Sequence, residues 1–104
     1  MNNYSLIQSF LDYCQLKKQY ARYTLENYER DLVRLNAYAL SCKLDLLSFD
    51  KLACRDFIAV EYDFQQSNKT LCRRISAYRT CWDFFQIQNL VAKNPWRQIR
   101  LPKV

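Results

Sequence analysis

The sequence predicts an all-α domain built from four helices. The chain of 104 residues contains no glycine and only two prolines. Tight β-hairpin turns rely on glycine, often as Asn-Gly or Asp-Gly, so a mainly β fold is disfavoured. Half of the residues are apolar, and in four segments they recur at the spacing of an amphipathic helix. A chain of this length can form one domain with its own core.

The first two helices are predicted over residues 5–18 and 23–41. Asn3 or Ser5 can cap the first helix, because a short polar side chain accepts a hydrogen bond from an N–H group of the first turn. Ala21, just before the second helix, has no side chain for such a cap. The apolar stripe of the second helix consists of Leu25, Tyr28, Leu32, Leu35 and Ala39.

The third helix is predicted from an N-cap at Asp50 to about residue 62. Before it, residues 43–49 form a connector whose leucines and Phe49 are expected to fill the core. The side chains predicted to face inward from the third helix are Leu52, Phe57 and Ile58.

The fourth helix, over residues 69–89, has the most regular pattern and a predicted cap at Ser67. Its core stripe consists of Leu71, Ile75, Tyr78, Trp82 and Phe85. Helical pairing cannot continue through Asn94-Pro95, because proline lacks an N–H group and restricts the residue before it. Residues 1–94 are therefore predicted to form the domain, and residues 95–104 an extended C-terminal linker.

Positive charge is concentrated in the C-terminal part of the chain. The net charge is +6, yet residues 1–63 contain eight basic and nine acidic side chains. Residues 64–104 contain eight basic side chains and one acidic side chain, Asp83. Such asymmetry indicates a polyanionic partner, and nucleic acid is the leading candidate.

The composition disfavours several classes of enzyme. Histidine is absent, which excludes His-based acid–base chemistry and nearly every catalytic zinc site. The five cysteines include no C-x-x-C pair and are predicted to be buried free thiols in a reducing cytosol. No catalytic residue, metal or cofactor is expected. The polar N-terminal sequence and the lack of a long apolar run predict a cytoplasmic protein without a membrane partner.

The fourth helix carries the clearest candidate binding surface. Its far side from the core stripe holds Lys69, Arg73, Ser76 and Thr80. An α-helix fits the DNA major groove, where arginine and lysine reach phosphates and guanine edges. An ordinary solvated basic face fits the same pattern, but surface helices normally mix both signs of charge. The absence of acidic residues between Asp63 and Asp83 favours binding.

A second and weaker candidate lies on the second helix, where Asn27, Arg30 and Arg34 project opposite the apolar stripe. Acidic neighbours make intrahelical ion pairing the expected role of Arg34. The aromatic side chains of the chain fall at core spacing and are interpreted as core rather than as base-stacking platforms.

Four motifs in order resemble one protein family. The stretch from Ser67 to Phe85, SNKTLCRRISAYRTCWDFF, resembles the helix with the pattern S-x-x-T…L-S-A-L-R in phage-integrase-like tyrosine recombinases. The later NP and IRLPK sequences resemble the linker of that family. Upstream, FLDY and TLENYERDL resemble its opening F-x-x-Y-L…T-x-x-x-Y-x-x-D-L.

The resemblance implies the N-terminal, SAM-like core-binding domain of a Xer-type recombinase, a four-helix orthogonal bundle. In that family this domain and a catalytic domain clamp duplex DNA, and two helices of the small domain face the major groove. They match the second and fourth helices here. The catalytic residues belong to the following domain, so this chain is not expected to be an enzyme, whereas its parent is expected to cut and rejoin DNA with other recombinase protomers.

The sequence and the resemblance thus predict sequence-specific or site-directed binding of duplex DNA, in the context of DNA recombination and integration. Two alternatives stay open: an all-α protein–protein adaptor with a basic face, and a helical RNA-binding module. The predicted DNA-binding residues combine the resemblance and the face argument, with Lys69 and Arg73 resting on the face argument alone. They are Thr24, Asn27, Arg30, Lys69, Thr70, Arg73, Arg74, Ser76 and Arg79.

Overall fold

The computed structural model describes residues 2–103, and all regular structure within them is helical. Its four α-helices are α1 (Asn3–Leu16), α2 (Arg22–Ser41), α3 (Lys51–Asp63) and α4 (Asn68–Ile87). Two 3₁₀ turns, at Leu46–Ser48 and Pro95–Gln98, complete the described elements. The predicted all-α fold of four helices is confirmed. Within this part of the chain, no helix is long and apolar enough to cross a membrane.

The chain divides into two compact units, Met1–Leu46 and Leu47–Val104. In the first unit, α1 packs against α2. The ring of Phe10 stacks on that of Tyr28 with 5.8 Å between centroids. The fully or nearly fully buried apolar side chains of the two helices are Leu6, Ile7, Phe10, Leu11, Cys14, Leu32, Leu35 and Ala39.

Two neighbouring asparagines start α1 in different ways. Asn2, rather than Asn3 or Ser5 as predicted, is the N-cap, and its Oδ1 accepts a hydrogen bond from the Ser5 N–H at 2.7 Å. Asn3 is buried. Its Nδ2 donates to Asn36 Oδ1 at 3.0 Å, and its Oδ1 accepts from the Leu46 N–H at 3.0 Å. Asn3 therefore ties the start of α1 to α2 and to the segment after it.

The second unit is built around an aromatic cluster of Phe49, Phe57, Tyr78, Trp82 and Trp96. The centroid of the Trp96 ring lies 4.8 Å from that of Tyr78, 5.9 Å from Trp82 and 6.1 Å from both Phe49 and Phe57. Trp82 and Trp96 are completely buried, and neither indole N–H has a hydrogen-bond acceptor. Packing and ring contacts, rather than hydrogen bonds of the two indoles, hold these tryptophan rings in the cluster.

Residues 95–104 were predicted to be extended, but the first part of this segment is not, because Trp96 is buried. Residues 95–98 form a 3₁₀ turn that packs on α3 and α4, with Pro95 and Trp96 buried. An extended conformation begins only at Ile99. The reason is energetic: an indole ring gains several kilocalories per mole when it leaves water for a packed core.

Three further expectations are corrected by the degree of burial. Leu52, predicted to face inward from α3, is 65% exposed, because at about 100° per residue it falls on the side of the helix opposite the buried residues of α3. The cysteines were all predicted to be buried, but Cys42 is exposed and Cys72 partly exposed, whereas the thiols of Cys14, Cys54 and Cys81 are buried.

The predicted N-caps Asp50 and Ser67 are confirmed, with hydrogen bonds from the Ala53 and Thr70 N–H groups. The observed ends of all four helices lie within about two residues of the predicted ends.

Helices α2, α3 and α4 end in the left-handed conformation that glycine usually provides. Lys43, Gln65 and Asn89, one after each C-cap, have φ of 54°, 60° and 59°. At each end two backbone hydrogen bonds close a Schellman motif, as in Leu44 N–H to Ala39 O at 2.9 Å. Because the chain lacks glycine, residues with a Cβ accept the steric cost of about 1 kcal/mol that this conformation imposes.

We predict that Trp96→Ala lowers the free energy of unfolding by about 3–5 kcal/mol, as for other large core side chains. Phe64→Ala is the matched control, because Phe64 is 68% exposed and its loss should change stability by less than about 0.5 kcal/mol. Urea denaturation followed by circular dichroism measures both. Equal effects of the two substitutions would contradict the anchoring role of Trp96.

Candidate nucleic-acid interface

The basic face of α4, defined as Lys69, Arg73, Ser76 and Thr80, reaches the protein surface. The first three are exposed and Thr80 is partly exposed. At about 100° per residue, the four positions fall within about 60° of arc on the helix. Thr80 Oγ1 donates to the Ser76 carbonyl oxygen at 3.0 Å. The face therefore presents two cationic side chains toward its N-terminal end and two hydroxyls toward its C-terminal end.

The first turn of α4 is organised by a pair of hydroxyls. Ser67 Oγ accepts a hydrogen bond from the Thr70 N–H at 3.1 Å and donates to Thr70 Oγ1 at 3.0 Å. Thr70, a predicted DNA contact, is partly buried and thus also completes the cap. Its hydroxyl oxygen retains a lone pair and its own proton for a further partner.

Arg74, another predicted DNA contact, makes an ion pair inside the protein. Its Nη1 lies 2.5 Å from Glu61 Oε2, and the two side chains are only 14% and 3% exposed. Nearby, the Tyr62 hydroxyl donates to Asn68 Oδ1 at 2.9 Å. These contacts join α3 to α4, so the structure gives Arg74 a structural role, and DNA contact by this side chain stays a prediction.

Arg79, the third predicted arginine of α4, binds the C-terminal segment. Its Nε donates to the Trp96 carbonyl oxygen at 3.1 Å and its Nη2 donates to the Ile99 carbonyl oxygen at 2.6 Å. Hydrogen bonds from a charged donor are stronger than those between neutral groups. The guanidinium thus holds the backbone within and directly after the second 3₁₀ turn, and DNA contact by Arg79 also stays a prediction.

Asp83, the single acidic residue of the C-terminal part, is engaged by two neighbours. Arg97 forms a two-point ion pair with it, with Nε 2.8 Å from Oδ1. Asn94 Nδ2 donates to the same Oδ1 at 2.9 Å and to the Arg79 carbonyl oxygen at 2.9 Å. The hydrogen bond from Arg97 lowers the pKa of the Asp83 carboxyl below its ordinary value of 3.8, and Asn94 adds to this effect.

The candidate residues of α2 lie in the first unit. Thr24 and Asn27 are partly exposed and Arg30 is exposed. Arg30 Nη1 donates to Asn27 Oδ1 at 3.0 Å, so these two predicted contacts are paired with each other. Arg22 and Glu26 form an exposed ion pair one turn away. This face therefore mixes both signs of charge, unlike the basic face of α4.

Sequence reasoning missed the roles of Asn94, Arg97 and Asp83 and the placement of Arg100 and Lys103. The last two are exposed on a segment that lies against α4. The available signal was Trp96, since a tryptophan directly after Asn-Pro is poorly suited to a solvated linker.

Burial makes two of the cysteines unreactive, and the described residues hold no group suited to a metal ion. Burial raises the pKa of the Cys14 thiol to about 11 and raises that of Cys54 as well, so both stay protonated and unreactive at neutral pH. Between residues 2 and 103, no group of three His, Cys, Asp or Glu side chains could hold a metal ion.

We predict that Arg74→Ala lowers the free energy of unfolding by about 3–5 kcal/mol, because it removes the partner of a buried carboxylate. Lys69→Ala, an exposed cation one turn earlier on the same helix, should change stability by less than about 0.5 kcal/mol. Thermal and urea unfolding compare the variants. A loss of the same size for both would show that the Arg74–Glu61 pair does not hold α3 to α4.

A second prediction concerns the pH dependence of stability. A carboxyl whose pKa is lower in the folded state contributes stability that is complete above the unfolded pKa and is lost as the pH falls. The difference in stability between the natural chain and Asp83→Asn should therefore be constant near neutral pH and shrink below about pH 3.8. Urea unfolding across this range measures it, with exposed Asp56→Asn as control. A difference that persists at the lowest pH would contradict the role of the ionised carboxylate.

Comparison with known proteins places these helices in a family. The model for the phage integrase, N-terminal SAM-like domain matches residues 7–89. The chain is 31% identical over 96 residues to the tyrosine recombinase XerC of Staphylococcus epidermidis strain RP62A, covering 92% of this chain and 32% of that protein. No solved structure shows a significant match.

Two further XerC proteins match over the same part of the chain. The tyrosine recombinase XerC of Bacillus subtilis strain 168 is 27% identical over 102 residues, 95% of this chain and 33% of that protein. The XerC of Xanthomonas axonopodis pv. citri strain 306 is 31% identical over 110 residues, 95% of this chain and 36% of that protein. The chain thus spans about a third of the length of these relatives. It belongs to the family of phage-integrase N-terminal SAM-like domains, which has its role in site-specific recombination.

Proposed function

We propose that this chain is the duplex-DNA-binding, N-terminal domain of a site-specific tyrosine recombinase. The observation that carries the proposal is the basic face of α4. Lys69, Arg73 and Ser76 are exposed on one side of a 20-residue helix, and no acidic residue occurs between Asp63 and Asp83. The positive charge of this face complements the negative charge of DNA, and an α-helix fits the width of the major groove.

The proposed mechanism is electrostatic docking followed by limited base contact. Lys69 and Arg73 bind phosphates or guanine edges, while Ser76 and Thr70 offer hydroxyls to either phosphates or bases. Arg74 and Arg79 act mainly by holding α4 to its neighbours, and their positive charge adds to the potential around the helix. Thr24, Asn27 and Arg30 form a second contact on α2, with Asn27 orienting the Arg30 guanidinium.

The chemistry of strand exchange is proposed to belong to a catalytic domain that residues 95–104 join to this one. This domain alone then binds DNA without cutting it and needs no cofactor. Its partners are duplex DNA and other recombinase protomers, and its place of action is the cytoplasm. Binding by the isolated domain is weak and shows little preference for sequence, because phosphate contacts dominate it.

We predict that the chain binds a fluorescent DNA duplex with an affinity that falls steeply as salt is added. A plot of the logarithm of the binding constant against the logarithm of the salt concentration should have a slope of about −0.9 for each phosphate neutralised. Arg73→Ala should reduce this slope by about 1 and, if Arg73 reads a guanine edge, should also cost about 1–3 kcal/mol at that base. Lys93→Ala is the matched control, because it removes one exposed cation that lies outside α4. Fluorescence anisotropy at several salt concentrations measures these effects.

Three kinds of outcome would contradict the proposed function or the proposed surface. Salt-independent binding, or no binding at low salt, would favour the protein–protein adaptor. Displacement of the duplex by structured RNA at lower concentration than by unlabelled DNA would favour the RNA-binding module. Equal effects of Arg73→Ala and Lys93→Ala would instead mean that the basic face of α4 is not the surface in contact with DNA.

A further inference from the structure

The C-terminal strap, defined as residues 99–103, is held along α4 by side chains of that helix. Arg79 Nη2 donates to the Ile99 carbonyl oxygen at 2.6 Å, Cys72 Sγ to that of Pro102 at 3.1 Å, and Asn68 Nδ2 to that of Lys103 at 2.8 Å. The order of these contacts shows that the strap runs antiparallel to α4, from its middle to its first turn.

The side chains that hold the strap share one line on α4. At about 100° per residue, positions 68, 72 and 79 fall within about 40° of each other. This line is about 90° around the helix from the centre of the basic face, and about 80° from the core stripe on its other side. The strap therefore lies between the packed side of α4 and its basic face.

The strap adds positive charge to the flank of the basic face. Arg100 and Lys103 are exposed, and no acidic residue follows Asp83 in the chain. Asp83 itself is paired with Arg97. Duplex DNA carries one charge for every ~1.7 Å along its axis, so a helix in the major groove has phosphates on both flanks. A cation beside a helix bound in this way would be close to one of these two rows of phosphates.

We propose that the C-terminal strap is part of the DNA-binding surface, with Arg100 and Lys103 binding backbone phosphates beside the groove that α4 enters. Asn68 and Cys72 are positioning residues: they touch the strap and hold its two cations in place. This inference rests on the proposed function, since it adds contacts to the same interface. It also gives the segment toward the next domain a fixed path along α4 in place of a solvated one.

The charge test uses the double variant Arg100→Gln/Lys103→Gln. The slope of its duplex binding constant against salt concentration, both as logarithms, should be less steep by about 2, because two phosphate contacts of about 0.9 each are lost. Lys51→Gln/Lys93→Gln is the matched control, because it removes the same charge from exposed positions outside α4 and the strap. Equal slopes for the two double variants would overturn the proposal.

The positioning test leaves the charge of the chain unchanged. Asn68→Ala/Cys72→Ala should release the strap, lower the heteronuclear NOE of the amides of residues 100–103, and reduce the salt slope as the charge variant does. Adding Arg100→Gln/Lys103→Gln to this background should then change the slope little. Because Asn68 also accepts a hydrogen bond from Tyr62, Tyr62→Phe serves as control for that contact and should keep the natural slope.

The outcomes separate this inference from the proposed function. If the natural chain does not bind duplex DNA at low salt, the proposed function fails. If it binds, and Arg73→Ala reduces the slope whereas the strap variants behave like their controls, the basic face of α4 binds DNA and the strap does not. If the strap is released in the NMR measurement but the slope is unchanged, Asn68 and Cys72 hold the strap for a structural reason only.

Discussion

Burial of the Trp96 ring is the interaction on which the second unit depends. The ring lies within about 6 Å, centroid to centroid, of four other aromatic rings. Because Trp96 follows Pro95 directly, its burial draws the chain back onto α3 and α4. The backbone that turns there has polar groups that need partners: Arg79 donates to the carbonyl oxygens of Trp96 and Ile99, and Asn94 Oδ1 accepts from the Trp96 N–H. Packing thus fixes the path, and the hydrogen bonds follow from it.

Each arginine of α4 has a role that its angle on the helix determines. Arg74 and Arg79 lie on opposite sides of the core stripe, about 60° and about 80° from its centre. One therefore meets the buried Glu61 of α3, and the other meets the carbonyl oxygens of the C-terminal segment. Arg73 lies about 160° from the stripe and is exposed. Three similar residues within seven positions consequently divide into two that stabilise the fold and one that faces outward.

The features of the fold that depend on local sequence pattern could be predicted from the sequence. The four helices, the caps Asp50 and Ser67 and the exposure of the basic face all follow from periodicity and short-range hydrogen bonding. The sequence was insufficient where a distant partner decides the outcome. Nothing near Arg74 in the chain points to Glu61, thirteen residues earlier. Nothing near Pro95 shows that Trp96 packs into the aromatic cluster. The angle of each arginine on the helix follows from the sequence, but its partner does not.

The placement of the carboxylates decides how positive the basic face of α4 is. Asp83 lies about 60° from the line of Asn68 and on the side toward the basic face, where its charge would offset that of the lysine and arginine and repel phosphate. Its ion pair with Arg97 removes most of this effect, and the lowered pKa of Asp83 shows that the carboxylate is stabilised by its neighbours. Glu61 of α3 is buried against Arg74 of α4. Asp83 and Glu61 are thus each paired with an arginine that lies outside the basic face, and Lys69 and Arg73 add positive charge to the potential that an approaching polyanion meets.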